Sequence, residues 1–156
     1  MSEMLANQYF MARKYLEAEI ELEGVINKNP SNKSALKKII VCYTHNNKID
    51  KALDILCSLI TEDIHLIIDT DPIKDDCPCF ELIEEVEKKK LYSSESLKHY
   101  IMLGIFWLYC NYEVSLTNFI KASEIDSQNV VLNQTISVIK KYMGSIQLKH
   151  SLGESI

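Results

Sequence analysis

The sequence predicts an all-α chain of stacked helix hairpins, and three observations lead there. Glycine and proline are scarce, four and three in 156 residues, which argues against a turn-rich β sandwich. Apolar residues return at spacings of three and four through most of the chain, the signature of amphipathic helices. Residues of the same type also recur at a fixed offset of 34: Tyr9 with Tyr43, Ala18 with Ala52, Leu22 with Leu56 and Leu5 with Ile39.

The first unit reads as a hairpin. Leu5, Ala6 and Tyr9 share one face of a first helix, a break follows near Arg13 to Tyr15, and a second helix carries Ala18, Leu22 and Val25. Small residues such as Ala6 and Ala18 allow close approach, with Tyr9 and Leu22 filling the space beside them. Asn29-Pro30-Ser31 ends the second helix, and Ser31 or Asn32 is placed to cap the next. A single hairpin cannot bury its apolar face, so it must stack on the next copy.

In the second unit, Leu36, Ile39, Ile40 and Tyr43 precede Ala52 and Leu56. A third begins with Tyr100, Leu103, Gly104 and Trp107 and continues with Ser115, Phe119 and Ala122. Trp107 to Ser115 is one residue shorter than Tyr9 to Ala18, so the third turn should be tighter or shifted. Beyond it, Leu132, Ile136, Ile139 and Met143 form one apolar stripe, as a terminal capping helix requires.

These motifs resemble the tetratricopeptide repeat, a 34-residue helix–turn–helix unit with the pattern W-x2-L-G-x2-Y, then A-x3-F, then P. Ser2 stands where a large residue is usual, Ile40 where a small one is, and Ile64 where the proline is expected. The resemblance implies an α-solenoid of antiparallel hairpins, about eight helices with one interrupted unit. The expected organisation is a single domain over 1–144: repeats at 1–31 and 32–63, an irregular unit at 64–92, a repeat at 94–127 and a capping helix at 128–143. Residues 145–156 are expected to be a mobile tail.

The irregular unit holds the least typical stretch, DTDPIKDDCPCF, residues 69–80. It is followed by a helix in which Phe80, Ile83 and Val86 form a narrow stripe, supported by Glu84–Lys88 and Glu85–Lys89 pairs at i,i+4. Pro78 suits the first helical position. Ten of the chain's 22 acids lie between Glu62 and Glu87, with Lys74 the one Lys or Arg among them. Asp69, Asp71, Asp75, Asp76, Glu81 and Glu84 therefore form a candidate acidic edge for steering a basic partner. The spacing fails as a calcium loop, because Ile73, Lys74 and Phe80 stand where a ligand, a glycine and a bidentate Glu are needed. Cys77 and Cys79 are candidate thiol or metal residues. Their spacing is not the CxxC of oxidoreductases and zinc knuckles, and only His65 and His99 are close enough in sequence to complete a site.

The remaining composition narrows the function. A formal charge of −5, with no concentrated basic footprint, argues against nucleic acid. The run Ile101–Cys110 is far shorter than the ~20 residues needed to span a bilayer. MSEMLANQYF lacks a secretory pattern. Five cysteines, three of them inside apolar helical patterns, suit a reducing, cytoplasmic setting. No phosphate loop and no nucleophile–base spacing is present, so neither an enzyme nor a bound cofactor is expected.

The resemblance implies a protein-interaction module whose first helices line a groove for a peptide or helix of another protein. The groove residues it implies are Glu3, Asn7 and Phe10, then Lys37, Val41 and Thr44, then Ile101, Ile105 and Leu108. Asn7 and Lys37 match the family's carboxylate clamp, but Glu3 stands where that clamp needs a lysine. Ile101 to Tyr112 is apolar nearly all round, so it is either covered by the irregular unit or a surface for association, and a homodimer is one form that association would take. Two alternatives stay open. One is a small chaperone like those of type III secretion translocators, from whose contiguous arrays the interrupted unit departs. The other is a thiol or metal protein built on Cys77 and Cys79.

Overall fold

The computed structural model describes residues 2–89 and 96–153, and these form nine helices and no strand. In order they are α1 (Glu3–Met11), α2 (Tyr15–Lys28), α3 (Lys33–His45), α4 (Ile49–Asp63), α5 (His65–Ile68), α6 (Cys79–Lys89), α7 (Leu97–Leu108), α8 (Tyr112–Ile125) and α9 (Val130–Ser151). The expected junction of the irregular unit with the third repeat, 92–94, falls outside the described residues. Among the described residues, no helix is long and apolar enough to cross a membrane.

Side-chain caps fix where helices begin. Ser2, Asn32, Ser96, Asn111 and Asn129 each accept from an amide in the first turn that follows, satisfying donors that have no partner within the helix.

The 34-residue offset also appears in the backbone. Arg13 and Asn47 both take left-handed φ, 61° and 66°. The turns they occupy close with corresponding bonds, Lys14 N to Tyr9 O at 2.9 Å and Lys48 N to Tyr43 O at 2.7 Å. Asparagine tolerates that conformation; arginine adopts it less readily. The third turn differs, as its shorter spacing predicts. No residue from Tyr109 to Asn111 has positive φ, and Asn111 caps α8 directly, accepting from Glu113 N at 3.0 Å and Val114 N at 3.2 Å.

Helices α1 to α4 pack consecutively, and α7 pairs with α8. The small residues allow that approach. Ala6, Ala18, Ala52, Ser115 and Ala122 are fully buried, alongside Leu22, Leu56 and Phe119. At Gly104, an added Cβ would lie 2.6 Å from the Phe119 ring.

Helix α7 packs against α3, α4, α6 and α8. This explains its all-round apolar sequence: Ile101 to Phe106, Leu108 and Tyr109 are buried within the fold. On α6 the buried stripe is Cys79, Leu82, Ile83 and Val86. Phe80, expected in that stripe, is 54% exposed and meets the Trp107 ring edge-on at 6.1 Å.

The last helix departs from expectation in length and position. It packs on α4 as well as α8, and Tyr142 lies between the rings of His65 and Tyr112 at 5.4 and 5.2 Å. It continues through Gly144 to Ser151, so part of the expected tail is helical. The stop is Gly153, at φ 75°, whose amide donates to His150 O, as glycine beyond a helix end does.

Candidate functional site

Helices α1 and α3 and the connection from Thr70 to Pro78 enclose a cleft of about 510 Å3. Phe10 and Val41, 2% and 1% exposed, and Tyr109 provide apolar walls. Asn7, Ser34, Lys37 and Lys38 provide polar ones. Tyr109 reaches α3 through its hydroxyl, which donates to Lys37 O at 2.8 Å. The half-buried Lys38 Nζ donates to Asn7 Oδ1 and Ser34 Oγ, each at 3.0 Å. Both partners are neutral, and burial lowers the Lys38 pKa although Glu3 opposes that shift.

The implied groove thus divides. Asn7, Phe10, Lys37 and Val41 line the cleft. Glu3 sits outside it, accepting from Asn32 Nδ2 at 3.1 Å. Thr44, Ile101, Ile105 and Leu108, implied as lining, are instead buried. The reason is the irregular unit: α6 packs on α7, and α7 packs against α3 and α4, leaving that face no access to solvent. Thr44 turns its hydroxyl to Ile40 O at 2.7 Å.

The acidic edge is largely engaged within the chain. Asp71 Oδ1 accepts from Ile73 N at 2.9 Å and Lys74 N at 3.1 Å, and Asp75 Oδ2 accepts from Asp71 N at 2.7 Å. Asp75 also faces Lys37 at 3.9 Å. Arg13 holds Asp76 at 3.3 Å and Glu81 at 3.2 Å. Asp69 pairs with His65 at 3.1 Å, and Glu84 pairs with Lys88. Of these carboxylates, Asp75 and Asp76 line the cleft, and Asp76 and Glu81 hold the connection and the start of α6 to the first hairpin through Arg13.

Cys77 lines the cleft, with the Cys110 and Cys79 thiols as the neighbours that most favour its ionisation, a connection that sequence spacing does not reveal for Cys110. These thiols, the Cys79 amide and the nearby Lys37 ammonium favour the Cys77 thiolate and hold its pKa well below the usual thiol range, against the opposing effect of burial. Cys79 shifts upward, chiefly through burial, and Cys110 upward, chiefly through Cys77. Ionisation is therefore favoured at Cys77 and disfavoured at Cys79 and Cys110. The histidines considered as partners lie elsewhere: His65 pairs with Asp69, and His99 packs beside Tyr100 at 5.5 Å. Among the described residues, no group of three or more His, Cys, Asp or Glu is arranged to hold a metal ion.

No protein-family model, curated protein or solved structure matches this chain.

Proposed function

We propose that the chain is a non-catalytic interaction module, similar to tetratricopeptide-repeat proteins, that holds a peptide segment of another protein in the α1–α3 cleft. The observation that carries this reading is Lys38: a half-buried ammonium, bonded to two neutral oxygens, beside the apolar walls of Phe10, Val41 and Tyr109. A ligand pairing an apolar side chain with a carboxylate complements both features. The carboxylate is either an acidic side chain or a chain terminus. Charge-assisted bonding to the ammonium is stronger than the neutral bonds it now makes. The matching turns at Arg13 and Asn47 support the repeat-like part of the reading, since they present α1 and α3 in equivalent settings.

The test is selection from a displayed random-peptide library, followed by fluorescence anisotropy with the selected sequences. Selected peptides should carry an acidic or carboxyl-terminal group next to an apolar residue. Lys38→Glu should weaken them by about tenfold or more, consistent with removing one charged contact. Binding insensitive to Lys38→Glu and to Ser34→Arg would refute the site.

A further inference from the structure

Beyond its packing on α4 and α8, α9 runs on as a bare helix end. Across residues 144–153 every position except Ile146 is exposed. Leu148 and Leu152, 61% and 67% exposed, lie one turn apart and give this end an apolar face. Lys149 stands between them in the last turn. The helix stops at Gly153, and the sequence that follows is Glu154-Ser155-Ile156. An acid thus lies two residues from an apolar side chain on either side.

That set of groups complements the α1–α3 cleft. Lys37 and Lys38 line it from α3, and Asp75 and Asp76 line it from the connection, so it offers both signs of charge. The helix end offers both as well, Lys149 and then Glu154. Leu152 and Ile156 correspond to the apolar walls of Phe10 and Val41, and Met11, also lining the cleft, adds an apolar side chain that is 63% exposed.

We infer that residues 148–156 of a second copy occupy the cleft, with Glu154 at Lys38 and the apolar side chains against Phe10, Met11 and Val41. The inference rests on the peptide-binding reading of the cleft and names this chain itself as the partner. Helix α9 packs on α4 and α8, whereas α1, α3 and the connection build the cleft. A second copy brings these separate parts together. Two copies that exchange ends reciprocally close a two-fold dimer. Dimer formation and capture of an outside peptide then exclude each other, because both need Lys38. Affinity for an outside peptide should therefore fall as the protein concentration rises.

The test is sedimentation of the full chain over an about hundredfold range of concentration. A concentration-dependent dimer is expected, and Lys38→Glu and Glu154→Lys should each weaken it by about tenfold or more. An equimolar mixture of the two variants should recover association, because the intact end of one meets the intact cleft of the other. Glu154→Lys changes a position beyond the last helix, which keeps the inference open to refutation if Lys38→Glu fails to fold. A second arm measures fluorescence anisotropy of a labelled peptide of residues 144–156, amidated at its end so that Glu154 supplies its carboxylate. It should bind the wild-type chain and lose about tenfold or more in Lys38→Glu. A chain that stays monomeric throughout, a dimer indifferent to both variants, or a mixture that fails to associate would each overturn the inference. If library-selected peptides bind at Lys38 and the 144–156 peptide does not, the inference fails and the cleft reading stands. If neither binds, the cleft reading fails with it.

Discussion

Arg13 and Asp76 meet across 63 residues of sequence, with the guanidinium Nη1 and Nη2 atoms each 3.3 Å from one carboxylate oxygen. The same guanidinium bonds Glu81 at 3.2 and 3.3 Å. Both Arg13 and Asp76 hold positive φ, 61° and 47°, so two unusual backbone positions are joined by one ion pair. The turn between α1 and α2 thereby anchors the connection between α5 and α6.

Arg13→Ala should loosen that segment more than it destabilises the fold. Glu81 is well exposed and Asp76 partly so, so the stability loss should be about 0.5–1 kcal/mol, at the upper end for surface pairs because the contacts are bidentate. Hydrogen exchange of the amides from Asp71 to Cys77 should accelerate while α2 and α3 remain protected. Equal acceleration throughout would contradict the anchoring role.

Gly104→Ala places a methyl group 2.6 Å from the fully buried Phe119 ring. Overpacking of this kind costs about 1–3 kcal/mol, and at ~2–4 °C per kcal/mol for a chain of this size the melting temperature should fall by several degrees. Combining it with Phe119→Leu should recover part of the loss, since the ring is what the methyl strikes. Strictly additive losses would show that the two positions do not interact.

Glu19 is 4% exposed and accepts from Asn46 Nδ2 at 2.9 Å and from Lys48. Asn46 also donates to Tyr15 O at 3.1 Å, so this carboxylate ties the second hairpin's turn to α2. Replacing it with alanine leaves donors without their partner, and denaturant unfolding should show a loss of about 1–3 kcal/mol. Lys48→Met should cost less, because Lys48 is itself partly exposed and Asn46 remains.

The pH dependence of thiol alkylation follows from the lowered pKa of Cys77. Its folded pKa is depressed, so its thiolate persists as pH falls below the usual thiol range, where an ordinary cysteine loses about tenfold in rate per unit. The facing groups are Cys79 on α6, Cys110 after α7 and Lys37 on α3, with Asp75 beside Lys37. Between pH 8 and 6, iodoacetamide labelling of Cys77 should change little while labelling of glutathione falls steeply. A parallel fall would show that Cys77 is an ordinary thiol.

Local signals in the sequence sufficed for much of this fold. Tyr9 and Tyr43 mark turns that share their hydrogen bonds, and Asn32, Asn111 and Asn129 cap the helices that follow them. Residues that meet only through tertiary packing were less legible. Cys110 looks like one more apolar residue just beyond α7, and its influence on Cys77 depends on how the irregular connection folds back. The expected groove face of α7 has groove-like spacing, but α6 and α3 cover it, and no local pattern records that. Gly144 invited an early helix end, although glycine within a helix costs only about 1 kcal/mol and nothing lies within 4 Å of where its Cβ would be.

The central claim is that α1 and α3 present a carboxylate-binding cleft, and titration of isotope-labelled protein with a selected peptide tests it most directly. Amide shifts should concentrate at Asn7, Ser34, Lys38 and Val41, and Lys38→Glu should abolish them while leaving the spectrum of the free protein folded. Shifts concentrated on α8 and α9, with the cleft unaffected, would contradict the account.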